Sequence, residues 1–97
     1  MYGVVTTFKF KQPLTEEQIE VIREQAIKPM TEEPGFRHYF ALSGESTEVA
    51  SFHAWDTRAQ AEAALAVMGP KLLPLIQDLL AGAPVRLMSE VVAEYHA

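Results

Sequence analysis

Apolar and polar residues alternate in two stretches of this chain, and each stretch leads into the sequence Thr-x-x-Gln. The first stretch covers residues 8–10 and precedes residues 15–18; the second covers residues 52–55 and precedes residues 57–60. Alternation with a period of two predicts a strand. A threonine followed three residues later by glutamine predicts a helix N-terminus, because each side chain can bond to the backbone of the other. The pattern therefore predicts a strand and helix unit that occurs twice.

The remaining apolar runs complete the predicted order of elements. Strands are predicted at residues 2–11, 36–42, 47–55 and 85–95, and helices begin at residues 15 and 57. Pro29 is expected to bend or end the first helix, and Gly69 with Pro70 to break the second. With right-handed crossovers, the order βαββαβ gives a four-stranded antiparallel sheet with both helices on one side. We predict a single domain over residues 1–97 with an α+β, ferredoxin-like fold and the last strand at a sheet edge.

A hairpin is predicted between the second and third strands, with its turn at residues 43–46. Without a bulge, Leu42 lies opposite Thr47, and alternation then assigns the side chains to two faces. One face carries Phe36, His38, Phe40, Leu42, Val49, Ser51, His53 and Trp55; the other carries Arg37, Tyr39, Ala41, Ala50, Phe52 and Ala54. Neither face has the regular polar positions of a sheet exposed to water. Because the chain's own helices cover one face, we expect a second copy to cover the other in a homodimer.

Composition and charge narrow the range of partners. A formal net charge of −5, from 13 acidic and 8 basic side chains, provides no basic surface for nucleic acid or anionic lipid. No stretch approaches the ~20 apolar residues of a membrane-spanning helix, and the start lacks a secretory signal pattern. The chain has no cysteine, which is typical of a cytoplasmic protein held together by packing. We therefore expect a cytoplasmic protein without nucleic acid or membrane partners.

Candidate chemistry concentrates on the first of the two predicted faces. His38, Ser51, His53 and Trp55 lie there beside Phe36 and Phe40, so burial is expected to keep an imidazole neutral and able to act as a base. Two histidines without a carboxylate on the same face make a poor metal site, and we expect no metal. The alternative interpretation is that these histidines are ordinary core or interface residues.

Short motifs add a resemblance to a known family. Pro34-Gly35-Phe36 at the entry to the second strand, and residues 52–56 with Ala59 and Ala61, resemble the dimeric α/β-barrel superfamily, within it the antibiotic-biosynthesis-monooxygenase type of domain. Residues 8–11 and 15–20 are also similar to the stress-responsive A/B-barrel relatives. The resemblance implies a homodimer whose sheets face each other, and a small-molecule pocket between each sheet and its own helices.

The resemblance also implies a set of functions. The superfamily includes cofactor-free monooxygenases, haem-degrading enzymes, isomerases and decarboxylases. Haem-degrading members carry an asparagine where this chain has Thr7, and residues 57–95 contain neither tryptophan nor histidine. We therefore expect no cofactor and a monooxygenase-like enzyme for a small aromatic or polyketide-type molecule, with His53 or His38 as the base. The expected substrate-binding residues are Trp55, Phe36, Phe40, Ser51 and Thr7. The alternative is a non-catalytic, dimeric module that binds a small ligand or responds to stress.

Overall fold

Four strands form one antiparallel sheet in the computed structural model of the chain, which describes residues 1–43 and 46–97. The strands are β1 (Tyr2–Lys9), β2 (Phe36–Leu42), β3 (Glu48–Trp55) and β4 (Val85–Glu90). Their spatial order is β2-β3-β1-β4, so β2 and β4 are the edges. With two helical layers in the order βαββαβ, this is the predicted ferredoxin-like α+β fold.

Three of the strands are shorter than predicted, and β3 is shorter only by its first residue, Thr47. Strand β1 ends at Lys9, although Phe10 still forms a single bridge with Leu80. Strand β4 ends at Glu90 because the following residues leave its pairing with β1; Val91 donates to the carbonyl of Met1, and the chain continues without regular structure.

The first helical layer begins at the predicted capping box. It comprises α1 (Glu16–Ile22), a π-helical turn (Arg23–Ile27) and α2 (Lys28–Thr31). The Thr15 hydroxyl accepts from the Gln18 amide at 3.1 Å, and the Gln18 side chain accepts from the Thr15 amide at 2.9 Å. The Lys28 amide reaches back to the Arg23 carbonyl. This wider turn precedes Pro29, which lacks an N–H, so the expected bend takes the form of a π turn and the helical path continues.

The second helix is longer than predicted. Helix α3 runs unbroken over Arg58–Ile76 and is followed by a 3₁₀ turn (Gln77–Leu79), so the predicted break at Gly69 and Pro70 is wrong. Pro70 and Pro74 are exposed and lie four residues apart, and the carbonyls that lose a donor face the solvent side of the helix, where water can bind them. The opposite side carries the buried residues Ala61, Ala64, Met68, Leu72 and Ile76.

The register between β2 and β3 also differs from the prediction. Leu42 pairs with Ala50, not with Thr47, and a bulge lies between Phe36 and His38. A shift by an odd number of residues exchanges the faces, so Tyr39 pairs with His53 and turns toward the helices. The hairpin turn was predicted at residues 43–46, and its central residues, Gly44 and Glu45, lie outside the described residues.

The pairings define two faces, and each is named here by its cross-strand rows. The covered face, against the helices, contains the rows Tyr39-His53-Val4-Met88 and Ala41-Ser51-Thr6-Arg86. The open face, on the other side, contains the rows Phe40-Phe52-Val5-Leu87 and Leu42-Ala50-Thr7-Val85. The core lies between the covered face and the helices, with Trp55 and Met30 fully buried. In the part of the chain that the structure describes, no helix is long and apolar enough to cross a bilayer.

Candidate active site

A small cavity lies between the covered face and the helices. Its volume is about 60 Å³, and its polar lining comes from four side chains of the sheet, Thr6, Tyr39, Ser51 and His53. The remaining lining is apolar and is contributed by Phe8, Phe10, Leu14, Ile22, Ile27, Val49, Met68, Leu72 and Ile76. The sheet therefore supplies every polar group of the cavity, while the helices supply only apolar wall.

The cavity adjoins a wider pocket nearer the surface. This outer pocket has a volume of about 350 Å³ and shares Leu14, Ile22, Ile27, Tyr39 and Val49 with the cavity. A cavity of about 150 Å³ is known to accept benzene. The inner cavity alone is therefore too small for an aromatic ring, whereas the two spaces together offer a wide apolar outer part and a narrow polar inner end.

His53 is held on several sides at the inner end. Its side chain is 1% exposed, and the Trp55 indole Nε1 donates a hydrogen bond to its Nδ1 at 2.7 Å. The two residues share a face because they are two positions apart on β3. The Tyr39 ring, from the neighbouring strand, stacks on the imidazole with centroids 6.2 Å apart and planes 19° apart. Within the described residues, Trp55 is the one hydrogen-bond partner of the His53 ring.

The electrostatics of the site favour a neutral imidazole. Burial lowers the pKa of His53 from 6.5 to about 4, and the positive charge of Arg86 on β4 adds to this shift. Burial also raises the pKa of the Tyr39 phenol above its ordinary 10.0, because the phenolate would lose its hydration. At neutral pH the site therefore holds an uncharged histidine beside an uncharged tyrosine.

The structure brings together only some of the predicted site residues. His53 and Ser51 line the cavity, and Trp55 and Phe36 lie behind His53 with their rings 5.5 Å apart in an edge-to-face contact. The other predicted residues, His38, Phe40 and Thr7, lie on the open face. The prediction that His38 and His53 share a face is therefore wrong, and the cause is the odd register shift between β2 and β3.

Two of the four polar cavity residues, Thr6 and Tyr39, were not predicted as site residues. Thr6 shares a face with Tyr2 and Val4 by alternation on β1, so the sequence contains the signal that places it toward the core. No sequence pattern indicated that Tyr39 faces the cavity, because its neighbour on β3 depends on the register. In the described portion of the chain, no three His, Cys, Asp or Glu side chains lie close enough to hold a metal ion.

Comparison with known families identifies the family to which the chain belongs. The family model "antibiotic biosynthesis monooxygenase" matches residues 1–66, and the chain belongs to this family. The matched part contains all of β1, β2 and β3 and therefore every polar residue of the cavity. The comparison with curated proteins finds no match.

Solved structures share the fold at low sequence identity. A monooxygenase from the gene ActVA-Orf6 of Streptomyces coelicolor, in complex with the ligand Nanaomycin D, has a TM-score of 0.75 and 18% identity, covering 99% of this chain and 91% of that one. SnoaB, a cofactor-independent oxygenase from Streptomyces nogalater, has a TM-score of 0.74 and 16% identity, with coverages of 96% and 94%. A dimeric ferredoxin-like protein of unknown function from Thermobifida fusca has a TM-score of 0.69 and 17% identity, with coverages of 93% and 90%.

Proposed function

We propose that this protein is a cofactor-independent monooxygenase for a small aromatic or polyketide-type molecule, with His53 in contact with the substrate. The observation that carries the proposal is an apolar pocket whose inner end holds a buried, neutral imidazole, in a chain of the antibiotic biosynthesis monooxygenase family. The similarity of the fold to a cofactor-independent oxygenase supports the same reaction class.

The chemistry requires a substrate that supplies its own electrons. An activated CH₂ between an aromatic ring and a conjugated system loses a proton to give a carbanion, which reacts with O₂. The net change is CH₂ + O₂ → C=O + H₂O, so the carbon provides all four electrons and no external reductant is needed. A pocket that stabilises the deprotonated substrate at its polar end lowers the barrier to the first step.

The test is oxygen uptake with an anthrone-type substrate and with a naphthalene hydroquinone as a second class. We expect substrate-dependent uptake and, with labelled O₂, one labelled oxygen atom in the ketone product. His53→Leu is expected to lower turnover by ~10²-fold or more, as is typical when a group that stabilises developing charge is removed. His96→Gln is the matched histidine control, since His96 is exposed in the C-terminal segment. A loss of turnover in His38→Gln with full activity in His53→Leu would move the reaction to the open face.

A second candidate is a non-catalytic module that binds a small ligand, and the size of the inner cavity, about 60 Å³, favours it. In this case ligands bind in the outer pocket and O₂ is not consumed. Isothermal titration of the same compounds distinguishes the two, because saturable binding without oxygen uptake supports the module and contradicts the enzyme.

We further propose that two copies associate through the open face. Phe40, Leu42, Val85 and Leu87 on this face are 63%, 74%, 69% and 65% exposed in the single chain. Exposed apolar surface of this kind marks an interaction site, and a permanent dimer buries ~2,000 Å² or more. The similar protein from Thermobifida fusca is described as dimeric. Cytoplasmic location stays a prediction from the sequence.

A further inference from the structure

The hydrogen bond between Trp55 and His53 determines where the imidazole carries its proton. Indole Nε1 is a donor only, so the His53 Nδ1 that receives it at 2.7 Å must be unprotonated. Both side chains are almost completely inaccessible to solvent, at 0% for Trp55 and 1% for His53. Water therefore cannot readily replace the indole as the partner of Nδ1.

Only one protonation state of the ring fits this contact. An imidazolium carries hydrogens on both nitrogens, and the Nδ1–H tautomer would direct a second hydrogen at the indole N–H. The neutral ring must therefore carry its hydrogen on Nε2. This nitrogen donates to no other described residue, and His53 lines the cavity, so the remaining donor is available to a molecule that enters it.

The surroundings hold the ring in this orientation. Phe36 packs edge-on against the Trp55 indole at 5.5 Å, and Tyr39 covers one side of the imidazole. Ser51, two residues earlier on β3, adds a hydroxyl to the same cavity, while Arg86 lies in the row of Ser51 and gives this end a positive potential. A fixed N–H, a hydroxyl and a nearby positive charge together favour an oxygen atom that bears negative charge.

We propose that Trp55 is a positioning residue that fixes His53 as the Nε2–H tautomer, so that the cavity binds phenolate, enolate or carbonyl oxygens. The aromatic part of such a ligand occupies the outer pocket, and its oxygen enters the inner cavity. His53 then acts as a hydrogen-bond donor and not as the base predicted from the sequence. The proton lost by a bound phenol or enol passes to water or buffer, and no covalent bond is made to the protein.

This assignment rests on the pocket of the proposed function but not on turnover, and its first test is spectroscopic. In ¹⁵N-labelled full-length protein at neutral pH, long-range ¹H–¹⁵N correlations are expected to show His53 with a protonated Nε2 and a bare Nδ1. Trp55→Phe keeps an aromatic ring and removes the donor, so both tautomers should appear and the pKa of His53 should rise. His38 and His96 serve as internal references. A protonated Nδ1 in the wild type, or an unchanged tautomer in Trp55→Phe, overturns the proposal.

The second test measures the preference for an anionic oxygen with 4-nitrophenol, whose phenolate absorbs separately from the phenol. Wild-type protein is expected to favour bound phenolate over bound phenol, with a lower pKa for the bound probe than for the free one. His53→Leu should lose this preference by ~10-fold or more, the amount typical of one hydrogen bond to a charged group. His53→Gln should keep part of it, because the amide N–H can still donate. An equal pKa of the bound probe in wild type and His53→Leu, or no saturable binding in the wild type, contradicts the ligand class.

The two proposals fail in different ways. If the tautomer and the phenolate preference are observed but no oxygen is consumed with any compound, the enzyme proposal is wrong and the binding proposal is supported. If oxygen is consumed but His53 is protonated at Nδ1, the proposed role of Trp55 is wrong and the enzyme proposal is supported.

Discussion

The two faces of the sheet have opposite relations between polarity and burial. The covered face hides polar side chains: Thr6, Ser51 and His53 are 3%, 7% and 1% exposed. The open face exposes apolar ones, with Leu42 at 74% and Leu87 at 65%. In an isolated antiparallel sheet the arrangement is normally the reverse, because hidden polar groups and exposed apolar groups both cost free energy. This contrast supports the proposed ligand pocket on the covered face and the proposed dimer interface on the open face.

The two faces also differ in whether a single chain can cover them with its own side chains. Helix α3 and the π-helical turn close the covered face with side chains of the same chain, such as Ile76 and Ala26. Nothing comparable covers the rows of Phe40 and Leu42 among the described residues. Changes on the open face should therefore act through association, and changes on the covered face through the fold and the cavity of each chain.

The largest expected effect comes from placing a charge on the open face. Leu87→Lys is expected to abolish the proposed dimer, because a permanent interface cannot accommodate unpaired ammonium groups without a cost of several kcal/mol. Sedimentation equilibrium at micromolar concentration should change from a mass of two chains to a mass of one, or the protein should unfold. The control is Leu73→Lys, which makes the same replacement at a 50% exposed leucine of α3. A wild-type protein that sediments as a single chain would contradict the proposal that the open face is a dimer interface.

The next effect concerns the covered face and depends on pH. The pKa of His53 is about 4 in the folded chain and 6.5 when unfolded, so the unfolded chain binds more protons between these values. Stability is therefore fully present above pH 6.5 and is lost as pH falls toward 4, by roughly 3 kcal/mol. Tyr39, also neutral in this window, adds no dependence. Denaturant unfolding of wild type and His53→Gln across this range measures the difference.

The expected outcome is a wild-type curve that falls more steeply with acidification than that of His53→Gln. All other ionisable groups are common to both proteins, so their contributions cancel in the difference. Parallel curves would mean that His53 is protonated as easily in the folded chain as in the unfolded one. That result would contradict the burial of His53 on the covered face.

A smaller effect is expected where β2 begins. Gly35 has φ +85°, and a Cβ there would lie 2.1 Å from the Gln60 side-chain oxygen. Gly35→Ala should therefore lower the free energy of unfolding by about 2 kcal/mol, from backbone strain and from displacement of Gln60. Gly69→Ala is the control, because a Cβ there meets nothing within 4 Å, and alanine in a helix should stabilise by about 0.5–1 kcal/mol. Equal effects at both sites would show that the entry to β2 is not constrained.

Local signals in the sequence predicted local structure well. The capping box at Thr15 and Gln18 and the succession of strands and helices along the chain follow from hydrogen-bonding chemistry and alternation that act over a few residues. At Thr57 only half of the pattern is present, since Thr57 accepts from the Gln60 amide while the Gln60 side chain packs under Gly35. The repeated motif therefore predicted both helix starts, although tertiary packing changed the role of its second glutamine.

The candidate site was only partly predictable because it depends on register. The spacing of His53 and Trp55 places them on one face whatever strands lie beside them. The partners across strands depend on the length of the β2–β3 connection and on a bulge, which no residue pattern in β2 reveals. For this reason His38 was expected in the site and Tyr39 was not. The tautomer proposed for His53 rests on the position of the indole nitrogen, which no sequence pattern reveals.

The smallest expected effect lies at the bulge, where β2 changes the face to which its residues point. Arg37 pairs with Asp56 there, and their side chains are 60% and 44% exposed. An ion pair this exposed should contribute only about 0.5 kcal/mol, because water screens the charges and ordering two side chains costs entropy.

A double-mutant cycle with Arg37→Ala and Asp56→Ala measures the coupling, and the exposed helix pair Arg58 and Glu62 is the reference. Coupling well above that of the reference would mean that the ion pair holds the bulge, and with it the assignment of Tyr39 to the covered face. Coupling equal to the reference would mean that other contacts stabilise the bulge. These are the hydrogen bond from the Asp56 amide to the Gly35 carbonyl at 2.9 Å and the packing of Phe36 on Trp55.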